Sequence, residues 1–252
     1  MTNHFRERLR AGERLVGTMV TLAAPEVAEI LGQAGFDWLF LDGEHSPLDP
    51  LTLQRLMQAA GPSTPCVVRL AAGEEIHVKK ALDSGAAGII APMVNSAAHA
   101  ARVVRWARYA PHGSRGVGPG RAQGYGLRMV EYIAVAHEQT AVIVQAEHIE
   151  AVENMAEIVA VPGLDAVFVG PYDLSASLGR LGQVNHPEVT AAIGRVTEIC
   201  RAAGMPLGIF GMSAEALRPW LGRGYTLVVA GVDAHLLGQT AQRLAMELKE
   251  QE

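Results

Sequence analysis

Short apolar runs alternate with longer stretches of helical spacing along this chain. The runs cover residues 15–22, 38–41, 66–70, 88–93, 141–145, 166–170, 207–210 and 227–230. They read as strands buried on both faces. Residues 25–33, 50–60, 74–84, 97–109, 149–159, 187–203, 214–221 and 234–250 repeat apolar positions at helical spacing. Pro25 suits a first helical turn, and Gly35, Gly61, Gly85 and Gly204 stand where helices should stop. Continuous apolar strands joined by helical crossovers predict a parallel sheet. Eight such units in 252 residues predict a single-domain α/β (β/α)8 barrel, the TIM barrel, spanning 1–252. An open doubly wound sheet would open on a Gly-rich turn, whereas here the first turn is Leu22-Ala23-Ala24-Pro25. One stretch breaks the alternation. Residues 109–138 hold a Gly-rich loop around Gly116, Gly118 and Gly120 and then a short helix. That is too long for an ordinary connection, and its glycines do not lie between a strand and a helix as a dinucleotide fingerprint requires.

A barrel makes the ends of its strands informative, because chemistry gathers where the strand-to-helix loops begin. Strand two ends in Asp42-Gly43-Glu44-His45, strand three in Arg69, strand five in Gln145-Ala146-Glu147-His148, strand six in Gly170-Pro171-Tyr172-Asp173, and strand eight in Asp233. A single Asp at such a place is often only a helix cap. As a set, half-buried charges need partners. Glu147 and Asp173 come from neighbouring strands, and two carboxylates suit a hard divalent cation. An acid/base pair of the glycosidase type is the alternative reading of the same two groups. His45, following Asp42 and Glu44 in one tight turn, is a candidate general base or an exposed imidazole. Arg69 offers a planar fork for a carboxylate or oxyanion, or a structural ion pair with Asp42 or Asp83.

Composition narrows the chemistry. Net charge is −5, which disfavours nucleic acid as a partner. The only lysines are Lys79, Lys80 and Lys249, all on predicted helices. No lysine is therefore available at the mouth for Schiff-base chemistry. Cys66 and Cys200 lie in apolar segments and make neither a disulfide framework nor a zinc site. No apolar run reaches membrane-spanning length and the N-terminus carries no signal-peptide pattern, so the expectation is a cytoplasmic protein. Aromatic residues are 5% of the chain, few for stacking sugars.

The motifs Asp42-Gly43-Glu44-His45, Arg69, Gln145-Ala146-Glu147, Gly170-Pro171-Tyr172-Asp173-Leu174-Ser175 and Gly231-Val232-Asp233 resemble the HpcH/HpaI aldolase family. Arg115-Gly116-Val117-Gly118 and His186-Pro187-Glu188-Val189 resemble it too. The resemblance runs from Gly17 to Leu244 and is strongest to the class II, pyruvate-dependent branch, of the 4-hydroxy-2-oxoheptanedioate and 2-dehydro-3-deoxyglucarate aldolase type. It implies that Glu147 and Asp173 bind Mg²⁺ or Mn²⁺, with Co²⁺ a further choice. It implies that His45 acts as base with Asp42 and Asp83 as polarising partners, and that Arg69 stabilises an enolate. Gln145, Gly170, Pro171 and Tyr172 would hold the pyruvate portion. It also implies a homotrimer or homohexamer whose last helix exchanges between barrels. Tyr172 stands where the family often has a small residue. Ala146 and His148 flank the acidic ligand where Ile and Thr or Ser are usual. A citrate-lyase-type enzyme acting on a CoA thioester is the main alternative, but no Lys/Arg cluster is evident for the carrier's phosphates. A non-catalytic keto-acid-binding barrel is another.

Overall fold

The computed structural model describes residues 5–249. Its eight strands close in sequence order into one barrel, every neighbouring pair parallel. In chain order the elements are α1 (Phe5–Arg10), β1 (Leu15–Val20), α2 (Pro25–Gln33), β2 (Trp38–Asp42), α3 (Pro50–Ala60), β3 (Cys66–Arg69), α4 (Glu75–Asp83), β4 (Gly88–Ala91) and α5 (Ala97–Ala107). There follow α6 (Met129–Gln139), β5 (Ala141–Ala146), α7 (Ile149–Glu153), α8 (Met155–Val159), β6 (Ala166–Val169), α9 (Pro171–Ser177) and α10 (Pro187–Ala202). β7 (Leu207–Gly211), α11 (Ala214–Gly222), β8 (Leu227–Val232) and α12 (Asp233–Lys249) complete the chain. The barrel expected from the alternating pattern is the fold observed. Several details differ. The expected first strand ends two residues early, and the expected 149–159 helix breaks at Asn154 into α7 and α8. The helices α1 and α9 have no counterpart in the alternation. Both are short, and too few turns repeat for a period to show.

Strand period explains how the interior is filled. Successive side chains point to opposite faces. On β2, Trp38 and Phe40 face inward with Phe5, Val67, Ile90, Ile143, Phe168, Leu227 and Val229. Leu39 and Leu41 face the helices with Val68, Val142, Val144, Val167 and Val228. Tilted ring contacts run up the axis from Phe5 to Trp38 at 5.6 Å, to Phe40 at 6.0 Å and to Phe168 at 5.8 Å. Glycine makes the room for these rings. A Cβ on Gly17 would stand 2.6 Å from the Trp38 indole. At the base, α1 plugs the barrel with Phe5 and Leu9. Buried Asp165 ties that plug down, accepting from Arg6 Nε at 2.9 Å, Arg108 Nη2 at 3.4 Å and the Val142 amide at 2.9 Å.

The last helix departs from this economy. On α12 only Asp233 is buried, and Leu237, Leu244, Met246 and Leu248 face solvent. The expected helix extended to Glu250, which lies outside the described residues. Among the described residues no helix is long and apolar enough to cross a membrane.

Candidate active site

The alternation that fills the barrel also selects what faces its mouth. Two residues above Phe40 on the inner face is Asp42, and two above Val67 is Arg69. The β2–β3 register sets these two side by side. On β5 the inner series Ala141, Ile143 continues to Gln145 and then to Glu147 just past the strand. A layer of apolar side chains is thus followed, at the carboxyl ends of the strands, by a layer of charged and amide groups.

Arg69 and Asp42 form a bidentate pair, Nε to Oδ1 at 2.9 Å and Nη2 to Oδ2 at 2.7 Å. They are 8% and 2% exposed. The guanidinium lies over the Phe40 ring, 5.4 Å from its centroid, and its Nη1 reaches Glu44 Oε2 at 3.2 Å. Burial alone would raise the Asp42 carboxyl, but the hydrogen bonds and charge of Arg69 hold it below the ordinary carboxylate range. Burial likewise opposes the Arg69 charge, and Asp42 outweighs it, so the guanidinium stays protonated. Asp42 Oδ1 also accepts the backbone N–H groups of Glu44 at 3.1 Å and His45 at 3.3 Å. It therefore shapes the turn that carries His45.

The imidazole itself is not bonded to Asp42. His45 is 64% exposed at its side chain, and Nε2 lies 3.6 Å from Glu44 Oε2. Asp83, expected beside His45, stands at the far end of α4, at the base of this barrel. There it receives Arg115 Nη2 at 2.7 Å and Gln123 Nε2 at 3.4 Å, with Arg115 stacked 4.6 Å over Tyr109. The correction has a simple cause. Helices run antiparallel to the strands, so a residue ending α4 returns to the base. Within one chain Asp83 does not reach the mouth.

Glu147 is 3% exposed. Its Oε1 accepts the Met93 amide at 2.6 Å, and its Oε2 accepts the Gln145 side-chain amide. Gly170 lies against it so closely that a Cβ there would stand 2.9 Å from Glu147 Cβ. Burial, reinforced by the negative charges of Glu44 and Asp173 against the Met93 hydrogen bond, pushes the Glu147 carboxyl up to about 7. Burial also raises Glu44, with Arg69 and His45 opposing and Asp42 and Asp173 adding to the rise. Glu44 is the residue that sequence reading passed over as a neighbour of His45. Its signal was its place two residues beyond the inner-facing Asp42.

These observations test the mouth as a cation site. The negative charges of Glu44 and Asp173 bear on Glu147, Gln145 Oε1 is buried with no hydrogen-bond partner, and Asp173 is exposed on the first turn of α9. Among the described residues no three His, Cys, Asp or Glu groups form a ready-made metal cluster. An all-oxygen pair of carboxylates with space for water and substrate fits a hard divalent ion, which keeps several waters. Asp233 is excluded from that role. It accepts from the Thr21 amide at 3.0 Å, Thr21 Oγ1 at 2.7 Å, the Leu22 amide at 2.9 Å and the Ala234 amide at 2.8 Å, and so latches β8 to β1. His148 likewise caps α7, accepting from the Glu150 amide.

Two hollows adjoin the mouth. One of about 420 Å³ lies beyond Glu44 and Met93, against His99 and Trp106. The other, about 520 Å³, begins at Pro171 and half-exposed Tyr172 and is walled by Ile209, Phe210, Met212 and Trp220. A hollow of about 760 Å³ at the base, beside Gly85, Arg121 and Arg128, holds none of the mouth's acids.

Comparison with known proteins supplies the family. The family model described as HpcH/HpaI aldolase/citrate lyase matches residues 16–239. A hydroxypyruvate/pyruvate aldolase of Pseudomonas aeruginosa is 43% identical over 250 residues, covering 98% of this chain and 93% of that protein. A 4-hydroxy-2-oxo-heptane-1,7-dioate aldolase of Salmonella typhimurium is 43% identical over 249 residues, covering 97% and 94%. A crystal structure of an HpcH/HpaI aldolase/citrate lyase family protein from Burkholderia cenocepacia J2315 superposes with a TM-score of 0.94 at 37% identity, covering 98% of this chain and 100% of that one. A barrel whose mouth joins a held guanidinium, an accessible imidazole and a buried carboxylate is thus matched over nearly its whole length by aldolases, and the chain belongs to the HpcH/HpaI aldolase/citrate lyase family and is a carbon–carbon lyase.

Proposed function

We propose that this chain is a metal-dependent class II aldolase that cleaves and forms 4-hydroxy-2-oxo acids, with pyruvate as one product and an aldehyde as the other. The observation that carries the reading is Glu147, a buried carboxylate held by the Met93 amide and Gln145, facing the charges of Glu44 and Asp173, while the guanidinium of Arg69 is already committed to Asp42. Glu147 and Asp173 would hold a divalent ion, Mg²⁺ or Mn²⁺. When bound, that ion supplies Lewis-acid polarisation of a keto oxygen.

The chain's own groups do the rest. In cleavage the C4 hydroxyl gives up its proton, the C3–C4 bond breaks, and its electron pair stays on C3 as the enolate of pyruvate while C4 leaves as the aldehyde. His45, exposed at the mouth and flanked by Glu44, receives the hydroxyl proton. Arg69, locked in one orientation by Asp42, meets the oxygen on which charge develops, and so needs little reorganisation during the reaction. Gln145, Gly170 and Pro171 wall the pyruvate end. Tyr172 stands between it and the apolar hollow at Phe210 and Met212, which receives the aldehyde's tail. A role for Asp83 beside His45 requires a second subunit.

The test is pyruvate release from a panel of 4-hydroxy-2-oxo acids, before and after chelation and with Mg²⁺, Mn²⁺ or Co²⁺ restored. Release that needs a divalent ion is expected, and release that survives excess chelator rules the reading out. The exposed apolar side chains of α12 support exchange of this helix within a trimer or hexamer. Removing residues 236–252 is expected to shift the sedimentation coefficient to that of smaller species. An unchanged assembly would reject the exchange.

A further inference from the structure

One partner of Glu147 is a main-chain amide in an uncommon conformation. Met93 donates its N–H to Glu147 Oε1 at 2.6 Å, and it does so from φ 52°. L residues seldom enter this left-handed region. Gly enters freely, Asn tolerates it, and β-branched residues are genuine outliers there.

The loop around Met93 is pinned on both sides. β4 ends at Ala91, Pro92 is buried, and proline fixes its own φ. Val94 is buried on the outer layer of the barrel. The Asn95 carbonyl accepts from Asn154 Nδ2 at 2.8 Å, and Ser96 caps α5. Between these anchors Met93 is 47% exposed. Its thioether therefore does little to hold the conformation, and the group with a specific partner is the amide. A backbone held against its preference at a functional mouth implies a use for that geometry.

We propose that Met93 is a positioning residue: its left-handed backbone aims the amide at Glu147 Oε1 and so sets the orientation in which the carboxylate meets a divalent cation. This rests on the reading of Glu147 as a metal ligand. With Gln145 on Oε2 and the Gly170 backbone against Cβ, the Met93 amide completes a three-sided hold. A β-branched residue at position 93 drives φ back to negative values, and the amide then turns away from Oε1.

The experiment ranks variants by backbone preference against side-chain likeness. Mn²⁺ binding is titrated by the loss of the free-ion paramagnetic resonance signal in the full chain carrying Met93→Gly, Met93→Asn or Met93→Ile, with thermal unfolding in chelator alongside. Gly and Asn, unlike Met in chemistry but at ease in this region, are expected to keep Mn²⁺ affinity within about twofold. Ile, the nearest to Met in hydrophobicity, is expected to lose about tenfold or more, the scale of losing an outer partner of a metal ligand. A merely structural role would move the unfolding temperature and leave Mn²⁺ affinity alone in all three. Ile binding like wild type, or Gly and Asn losing as much as Ile, overturns the proposal. Should Met93→Ile not fold, Met93→Thr, smaller but also β-branched, takes its place with the same expected loss. Wild-type protein that takes up no Mn²⁺ overturns the metal reading itself, an outcome distinct from a wrong ranking among variants of a binding protein.

Discussion

Arg69→Ala is expected to lower kcat for pyruvate release by about 10²–10³-fold, the loss seen when one preorganised donor to a developing oxyanion is removed. The effect should fall on kcat more than on KM, because the group is asked to meet charge that appears only as the bond breaks. The substitution also strands Asp42, which is 2% exposed and otherwise bonded to two backbone amides of the His45 turn. Breaking a buried pair this way typically destabilises a fold by about 3–5 kcal/mol. Urea unfolding separates the two effects. Arg69→Lys keeps the charge without the bidentate fork, so it should recover stability in part and turnover little. An alanine variant that turns over at the wild-type rate would remove Arg69 from the chemistry and leave it a structural ion pair.

Glu147→Ala should cost more than activity. It removes one carboxylate of the cation pair and frees the Met93 amide and the Gln145 side chain together. Mn²⁺ affinity is expected to fall at least about 100-fold, the upper end of what loss of an outer partner costs and a lower bound for loss of a ligand. The variant should match chelated wild type in turnover, and only the wild type should recover when Mn²⁺ is restored. Calorimetric titration with Mn²⁺ and a pyruvate assay on the same samples read both quantities. Unchanged Mn²⁺ binding in Glu147→Ala would place the ion elsewhere.

Both expectations depend on pairings that no single segment discloses. Arg69 read alone admitted a substrate carboxylate, Asp42 or Asp83 as its partner. The β2–β3 register chose Asp42. For His45 the family resemblance implied Asp42 and Asp83 as polarising groups. The turn made by Asp42 put the imidazole next to Glu44 instead, and helix direction carried Asp83 to the base of the chain's own barrel. Met93 reads in sequence only as a core or mouth-lining residue, because a methionine at a strand end is unremarkable until its φ is known.

The pattern along the chain determined the barrel and its polar rim by itself, since continuous apolar runs alternating with stretches of 3.6-residue spacing are local properties that survive any packing. It also sufficed to place Asp42, Arg69, Gln145 and Glu147 at strand ends, where alternation points them inward. Tertiary structure alone decided which of these groups touch, how the burial of Glu147, with Glu44 and Asp173 adding to it, lifts its carboxyl to about 7, and which backbone amide holds it. Contact and desolvation arise between segments far apart in the chain, and they exist only once the sheet has closed.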